Sequence, residues 1–292
     1  MYKYKFIVNP IAGGGKASSL VPVIERCFKN QSVEFDIYWT KRPKDGIEVA
    51  EKAARNGFEV IVAVGGDGTV NEVLNGIVGT GAILATVHGG KGNDFATAVK
   101  MPSDIEAACQ TLLIGKTKKI DLGKVLDRYF INSVGIGFDA EVANRVNNGI
   151  KYMKGPAAYT YAFLEKLMSY HSVEALVDLG NNAQKLKPLL IAVGIGQAYG
   201  GGMRIVPDAI QDDGFFDICI FDDTLPRLAL IYHFPKVFFG KLKNLKQAHM
   251  YRSKELTVRL SEPRYIHMEG EILFSDQMQF TIQPLGMTVL TG

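Results

Sequence analysis

The run Val60-Ile61-Val62-Ala63-Val64 enters Gly65-Gly66-Asp67-Gly68-Thr69 directly, and Val70-Asn71-Glu72-Val73-Leu74 then takes up a helical texture. Five apolar, mostly β-branched residues predict a buried strand, so the glycines fall at its carboxyl end. In open α/β sheets that end is where ligands bind. Glycine lets backbone N–H groups come close to an anion, and the following helix N-terminus adds partial positive charge. A plain turn would need fewer glycines. Asp67 is the odd member, because a carboxylate among phosphate-binding amides repels phosphate unless it holds Mg²⁺ or takes a proton. Both roles belong to phosphoryl transfer.

Two further loops follow strands in the same way: Asn9-Pro10-Ile11-Ala12-Gly13-Gly14-Gly15-Lys16 after Lys5–Val8, and His88-Gly89-Gly90-Lys91-Gly92-Asn93-Asp94 after Ile83–Val87. With Glu34–Tyr38 and Val60–Val64 as the other strands, helical stretches Ala17–Lys29, Asp45–Asn56, Thr69–Ile77 and Ser103–Ile114 complete an alternation typical of a parallel sheet. The three loops are therefore expected on one sheet edge. The first is not a P-loop, which would need glycine at Pro10 and Ser or Thr at Ala17. No dinucleotide fingerprint is completed at Gly13, Gly15 and Ser18, or at Gly194, Gly196 and Tyr199.

From Asp121 the texture changes to strands at Arg128–Val134, Val173–Asp178, Leu189–Gly194, Phe216–Phe221, Glu255–Leu260, Arg264–Met268 and Met278–Ile282, interrupted by helical Ala140–Asn147 and Pro156–Tyr170. The 292 residues thus divide into an α/β domain, 1–122, and a β-rich domain, 123–292, joined near Gly115–Asp121. Cys27, Cys109 and Cys219 show no CxxC or Cys/His spacing, which argues against zinc and a disulfide framework and fits a reducing cytoplasm. The N-terminus lacks a signal-peptide h-region, and the longest apolar stretch, Leu225–Phe239, is broken by Pro226, Arg227, His233, Pro235 and Lys236. A net charge of +3 gives no argument for nucleic acid. Lys236, Lys241, Lys243 and Lys246 read either as a solvated helix face or as a site for anionic lipid.

NPIAGGGK, GGDGTVNEVLNGI and GGKGNDFA, in that order, resemble the motifs of the diacylglycerol kinase catalytic-domain family, which includes sphingosine kinases and bacterial soluble lipid kinases. The similarity continues through FINSVGIGFDAEV at 130–142, GGGMRIVPDAIQDDGFFDI at 200–218 and EGE at 269–271. The resemblance implies a first domain similar to phosphofructokinase and NAD kinase, a β-sandwich-like second domain, and Mg-ATP in a cleft. It places Asn9, Pro10, Thr40, Gly65, Gly66, Asp67, Gly68, Thr69, Glu72, Lys91 and Asn93 around the nucleotide. Glu271, a strand-end carboxylate beside Gly270, is implied as general base, with Glu269 where the family usually has aspartate and Asp67 as rival. A structural Mg²⁺ is implied at Asp213 with the carbonyls of Ile210 and Phe215. Asp94 and Asp139 are implied on the substrate side, with Arg145 and Lys151 as phosphate partners.

The implied reaction transfers the γ-phosphate of ATP to a lipid hydroxyl. The implied setting is the cytoplasm, transiently at the inner face of the membrane, with room for peripheral membrane contact and a homodimer. One departure stands out: the family's P-x-G-[ST]-G-N-D reads here His88-Gly89-Gly90-Lys91-Gly92-Asn93-Asp94. Lysine in place of the hydroxyl either contacts phosphate or blocks the site. Two other functions compete. NAD kinases share GGDGT, although GNDFA and EGE favour the lipid branch. A nucleotide-gated lipid-binding protein without phosphotransfer is motivated by Lys91 and opposed by the retained Asp67 and Glu271.

Overall fold

A computed structural model describes residues 2–31, 33–150, 156–180 and 183–292. Lys151 lies outside the described residues. The chain forms two compact units, Met1–Leu122 with Pro284–Gly292, and Gly123–Gln283.

In the first unit, β1 (Tyr4–Val8), α1 (Lys16–Lys29), β2 (Phe35–Trp39), α2 (Asp45–Arg55), β3 (Val60–Gly65), α3 (Asp67–Ile77), β4 (Ile83–His88), α4 (Asp94–Ala98) and α5 (Ile105–Ile114) follow one another, and β5 (Thr117–Val125) leads out. The sheet order is β2-β1-β3-β4, all parallel. Strand β3 is buried along its whole length, which is why it reads as an uninterrupted apolar run. Helix α1 buries Ala17, Val21, Ile24 and Phe28, a helical-period stripe whose Phe28 packs against Tyr4 and Phe6 of β1. Helices α2 and α3 approach closely at Gly76, where a Cβ would come 2.4 Å from the Ile47 carbonyl oxygen. All three cysteines are free thiols.

The second unit contains β6 (Arg128–Phe130), β7 (Ser133–Gly137), α6 (Phe138–Asn147), α7 (Pro156–Ser169), β8 (Ala175–Asp178), β9 (Ala183–Leu186), β10 (Pro188–Gly194), β11 (Phe216–Asp222), α8 (Arg227–His233), 3₁₀ turns at Phe234–Phe239 and Leu242–Asn244, β12 (Ala248–Ser253), β13 (Glu255–Met268) and the start of β14 (Glu271–Leu290). Strands β12-β11-β10-β7-β13 run antiparallel, and β13 then pairs with β14. The far end of β13 pairs instead with β8. One long strand shared between two sets of partners produces the β-sandwich-like fold, around a core containing Phe130, Phe216 and Phe280. A second core, under α6, α7 and α8, contains Phe138, Phe163 and Tyr170.

The expected second domain ran to residue 292, but the last segment differs. Pro284–Gly292 belongs to the first unit, where Val289 pairs in parallel with Leu84 and the Gly292 N–H donates to the Val99 carbonyl at 3.0 Å. The Leu285 N–H also donates to the buried Asp121 carboxylate at 2.8 Å. Among the described residues no helix is long and apolar enough to cross a membrane.

Candidate active site

Because β1, β3 and β4 are parallel and in register, with Val8 beside Val64 and Gly65 beside His88, the loops that follow them emerge together. Their backbones touch. A Cβ on Gly90 would lie 2.3 Å from the Gly66 Cα, and one on Gly13 would lie 2.6 Å from the Gly89 carbonyl oxygen. The Asn9 amide joins the first loop to the second, donating to the Thr69 hydroxyl at 3.4 Å while its oxygen accepts from the Ile11 N–H at 3.3 Å. The Pro10 carbonyl accepts from Ser18 at 3.0 Å. Asn93, with φ of 56°, braces the third loop from within: its oxygen accepts from the Gly90 N–H at 2.8 Å and its amide donates to the Gly90 carbonyl at 3.0 Å.

Asp67 is the first residue of α3, half-buried, and one of its oxygens accepts the Phe95 N–H at 3.0 Å. This bond ties the second loop to α4, and among the described residues no other bond engages the second oxygen. Asp94, the first residue of α4, is buried. Lys91 is exposed and forms no ion pair with Asp67 or any other acid among the described residues. Glu72, expected near nucleotide, is engaged by the fold: its two oxygens accept the Lys44 N–H at 2.9 Å and the Gly46 N–H at 3.0 Å and so cap α2. Thr40 sits at the end of β2, its N–H donating to the Val8 carbonyl at 2.9 Å. The His88 ring is engaged by backbone, with Nε2 2.8 Å from the Met101 carbonyl oxygen.

In the second unit, Glu269 and Gly270 form the two-residue turn between β13 and β14, both with positive φ, at 49° and 94°. Glu271 follows at the start of β14 and pairs with Arg128. Serving as a base therefore requires it to share or release that guanidinium. Glu269 points inward and is a different kind of acid, buried and accepting the Ile131 and Asn132 N–H groups at 2.6 and 2.5 Å.

Asp139, on the first turn of α6, lines an apolar cavity of about 80 Å³ with Phe138, Phe163, Leu190 and Val237 among its walls. Gly135 makes room for it, since a Cβ there would lie 1.9 Å from the carboxylate. Burial pushes the Asp139 carboxyl up to about 6, against the opposing hydrogen bond from the Tyr199 hydroxyl at 2.7 Å. The Tyr199 ring stacks on His267, which also lines the cavity. His267 gives no signal in the sequence, where it lies in an ordinary strand run. Burial pulls its pKa down to about 4, and its Nε2 accepts the Gly270 N–H at 3.1 Å. The neutral ring must then carry its proton on Nδ1, which is buried without a partner among the described residues. Tyr199 and His267 thus link the cavity carboxyl to the turn that presents Glu271. Arg145 is less available than expected: it is paired with Glu165 at 2.9 Å and donates to the Gly149 carbonyl at 2.8 Å.

The Asp213 loop does not fit a divalent cation as it is arranged. One Asp213 oxygen accepts the Phe215 N–H at 3.1 Å, and the other is paired with the Arg252 guanidinium. Arg252 also lies 3.8 Å from Asp217 and 4.8 Å from the centroid of the Phe215 ring. No cluster of three metal-ligating side chains occurs among the described residues.

A parallel α/β unit with three abutting glycine loops, joined in sequence to a β-sandwich-like unit, defines a kinase-type architecture. Residues 3–125 match the diacylglycerol kinase catalytic domain, and residues 132–291 match the YegS C-terminal NAD kinase beta sandwich-like domain. The diacylglycerol kinase of Staphylococcus epidermidis is 31% identical over 255 residues, covering 82% of this chain and 80% of the relative. That of Staphylococcus saprophyticus is 27% identical over 270 residues, covering 91% and 88%. A solved diacylglycerol kinase structure from Bacillus anthracis shares the fold, with a TM-score of 0.78 and 22% identity over 100% of this chain and 97% of that one. The chain belongs to the diacylglycerol kinase catalytic-domain family.

Proposed function

We propose that the protein is an ATP-dependent lipid kinase that phosphorylates a hydroxyl of diacylglycerol or a related lipid, acting in the cytoplasm and transiently at the inner face of the membrane. The observation that carries this reading is the meeting of the three glycine loops around Asp67, where backbone amides and the α3 N-terminus favour phosphate. Asn9, Gly65 to Thr69 and Asn93 shape that phosphate seat, and Lys91 is free to reach an ATP phosphate. Mg²⁺ arriving with ATP supplies charge neutralisation at the phosphates, and Asp67 is the residue that would hold it.

The lipid hydroxyl oxygen attacks the γ-phosphorus, the bond from that phosphorus to the β,γ-bridging oxygen breaks, and ADP leaves. Glu271 takes the hydroxyl proton. In the substrate cavity Asp139, the Nδ1–H of His267 and His233 give a mostly apolar wall its polar contacts, which suits a lipid with a small polar head. The test is transfer of labelled phosphate from ATP to diacylglycerols, sphingoid bases, ceramides, phosphatidylglycerol and NAD in parallel. Labelled lipid is the expected product; label in NAD alone, or in none of them, overturns the proposal.

A further inference from the structure

From Thr224 to Gln247 the chain contains no acidic residue in 24 positions, while Arg227, Lys236, Lys241, Lys243 and Lys246 are basic. Helix α8 and the 3₁₀ turn after it occupy the middle of this stretch and have two unlike faces. The inner face, Leu230, Phe234 and Val237, forms a wall of the Asp139 cavity. The outer face is also apolar: Leu228 is 78% exposed, Tyr232 73% and Phe239 72%, with Ile231 and Phe238 about half as exposed beside them. The Lys236 ammonium lies over the Tyr232 ring at 5.1 Å, and Lys241 and Lys246 are exposed without an ion pair among the described residues.

Folding gains nothing from leaving five large apolar side chains in water within twelve residues, so this face is built to be covered. Charge selects the occupant. Arg227 and Lys243 are paired with Asp223 and Asp208, which leaves Lys236, Lys241 and Lys246 as the cations edging the patch. An aromatic and aliphatic face with such an edge, and no acid in its own segment, matches the boundary of an anionic bilayer, where rings insert at headgroup depth and ammonium groups meet lipid phosphates.

We infer that the outer face of α8 and the Phe234–Phe239 turn is a membrane-docking surface for anionic lipid bilayers, which seats one wall of the Asp139 cavity against the lipid. The inference rests on the lipid-kinase reading for its purpose, not for its test. The full chain is floated with vesicles of phosphatidylcholine alone and of phosphatidylcholine mixed equally with phosphatidylglycerol. Two variants accompany it: Leu228→Ser/Phe239→Ser, and Lys236→Gln/Lys241→Gln/Lys246→Gln.

Wild type is expected on the anionic vesicles and not on the neutral ones. Each variant should bind them at least about tenfold more weakly, as expected when two or three lipid-facing side chains are replaced together. Both variants should keep the wild-type melting temperature and the wild-type turnover of detergent-dispersed diacylglycerol, losing turnover only on vesicles. The inference is overturned if wild type ignores anionic vesicles or if the variants bind as well as wild type. It is also overturned if the patch substitutions convert a dimer to a monomer, which would make a second copy of the chain the occupant. If docking follows expectation but no lipid is phosphorylated, the surface stands and the kinase reading falls.

Discussion

Asp139 and His267 face the same cavity with opposite dependences on pH, so replacing either should expose the other. A carboxyl moved by burial from 3.8 to about 6 binds its proton more tightly in the folded state. Asp139 therefore favours folding below pH 3.8 and loses that contribution as pH rises through about 6. At about 1.36 kcal/mol per tenfold change in proton affinity, the loss is about 3 kcal/mol at most. His267, moved from 6.5 to about 4, behaves oppositely: its contribution is present above pH 6.5 and lost as pH falls through about 4, by a similar amount. Between pH 4 and 6 the two largely cancel in the wild type. Tyr170, Tyr199 and Cys219 near the carboxyl have their pKa values pushed up by burial and stay neutral across this window, while His233, which lines the same cavity and whose pKa burial pulls down, is common to wild type and both variants and drops out of each difference. Asp139→Asn keeps the volume and the oxygen that accepts from Tyr199, so its difference from wild type isolates the charge. Urea unfolding from pH 4.5 to 8 should show the variant gaining on wild type by about 2 kcal/mol toward pH 8, the part of the loss that falls above pH 4.5. His267→Gln should gain on wild type toward acid pH. A difference that stays flat for Asp139→Asn across the range would refute the reasoning, because it would mean the folded carboxyl titrates as it does in the unfolded chain, as a hydrated group would.

Asp67→Asn keeps an oxygen for the Phe95 N–H, so it should abolish turnover with little change in melting temperature; retained turnover in a phosphotransfer assay would remove Asp67 from the chemistry. Glu271→Gln should lower kcat by about 10² to 10⁴-fold with ATP affinity unchanged, as for a lost general base, and an unchanged kcat at saturating lipid would pass that role to Asp67. With Arg252 closing the Asp213 loop, nucleotide-free wild type should melt at one temperature with Mg²⁺ or EDTA, and Arg252→Ala should melt lower; an EDTA-dependent shift in wild type would place a metal there after all. Lys91→Thr should weaken Mg-AMPPNP binding measured by calorimetry or leave it family-like, since no ion pair among the described residues holds Lys91 over Asp67; binding that appears only in the variant would make Lys91 a block.

The parts of the molecule that could be read from the sequence are those whose constraint is local. Strand β3 declares itself because burial on both faces demands an unbroken apolar run, and the glycines at 89 and 90 declare themselves because the Gly65–Gly66 backbone passes where no Cβ fits. What stayed hidden depends on partners distant in sequence. Glu72 looks like any helix glutamate until the chain brings Lys44 and Gly46 to it, 28 and 26 residues away. Asp213 matched a metal loop because nothing nearby shows that Arg252, 39 residues on, will neutralise it. The return of Pro284–Gly292 to the first unit depends on one strand, β14, serving two units, which alternation alone does not encode. Leu225–Phe239 showed only its apolarity, and the division into a cavity wall and an exposed face needed the fold.

The Glu-Gly-Glu turn shows how one short motif separates structure from chemistry. Placing Glu269 in a left-handed conformation costs about 1 to 2 kcal/mol, since only glycine adopts it freely. Its side chain accepts two buried N–H groups, and at about 0.5 to 1.5 kcal/mol for each hydrogen bond their contribution is of the same size as the strain. The same two bonds fasten the β13–β14 turn to the Ile131–Asn132 segment that leads into β7. Glu269 is thus consumed by the fold. Glu271, one glycine further on, reverses direction, emerges half-buried and meets the Arg128 side chain. Of the two acids, it alone keeps a carboxylate that a substrate hydroxyl could approach, and the rigidity that Glu269 gives the turn is what would hold that carboxylate in place.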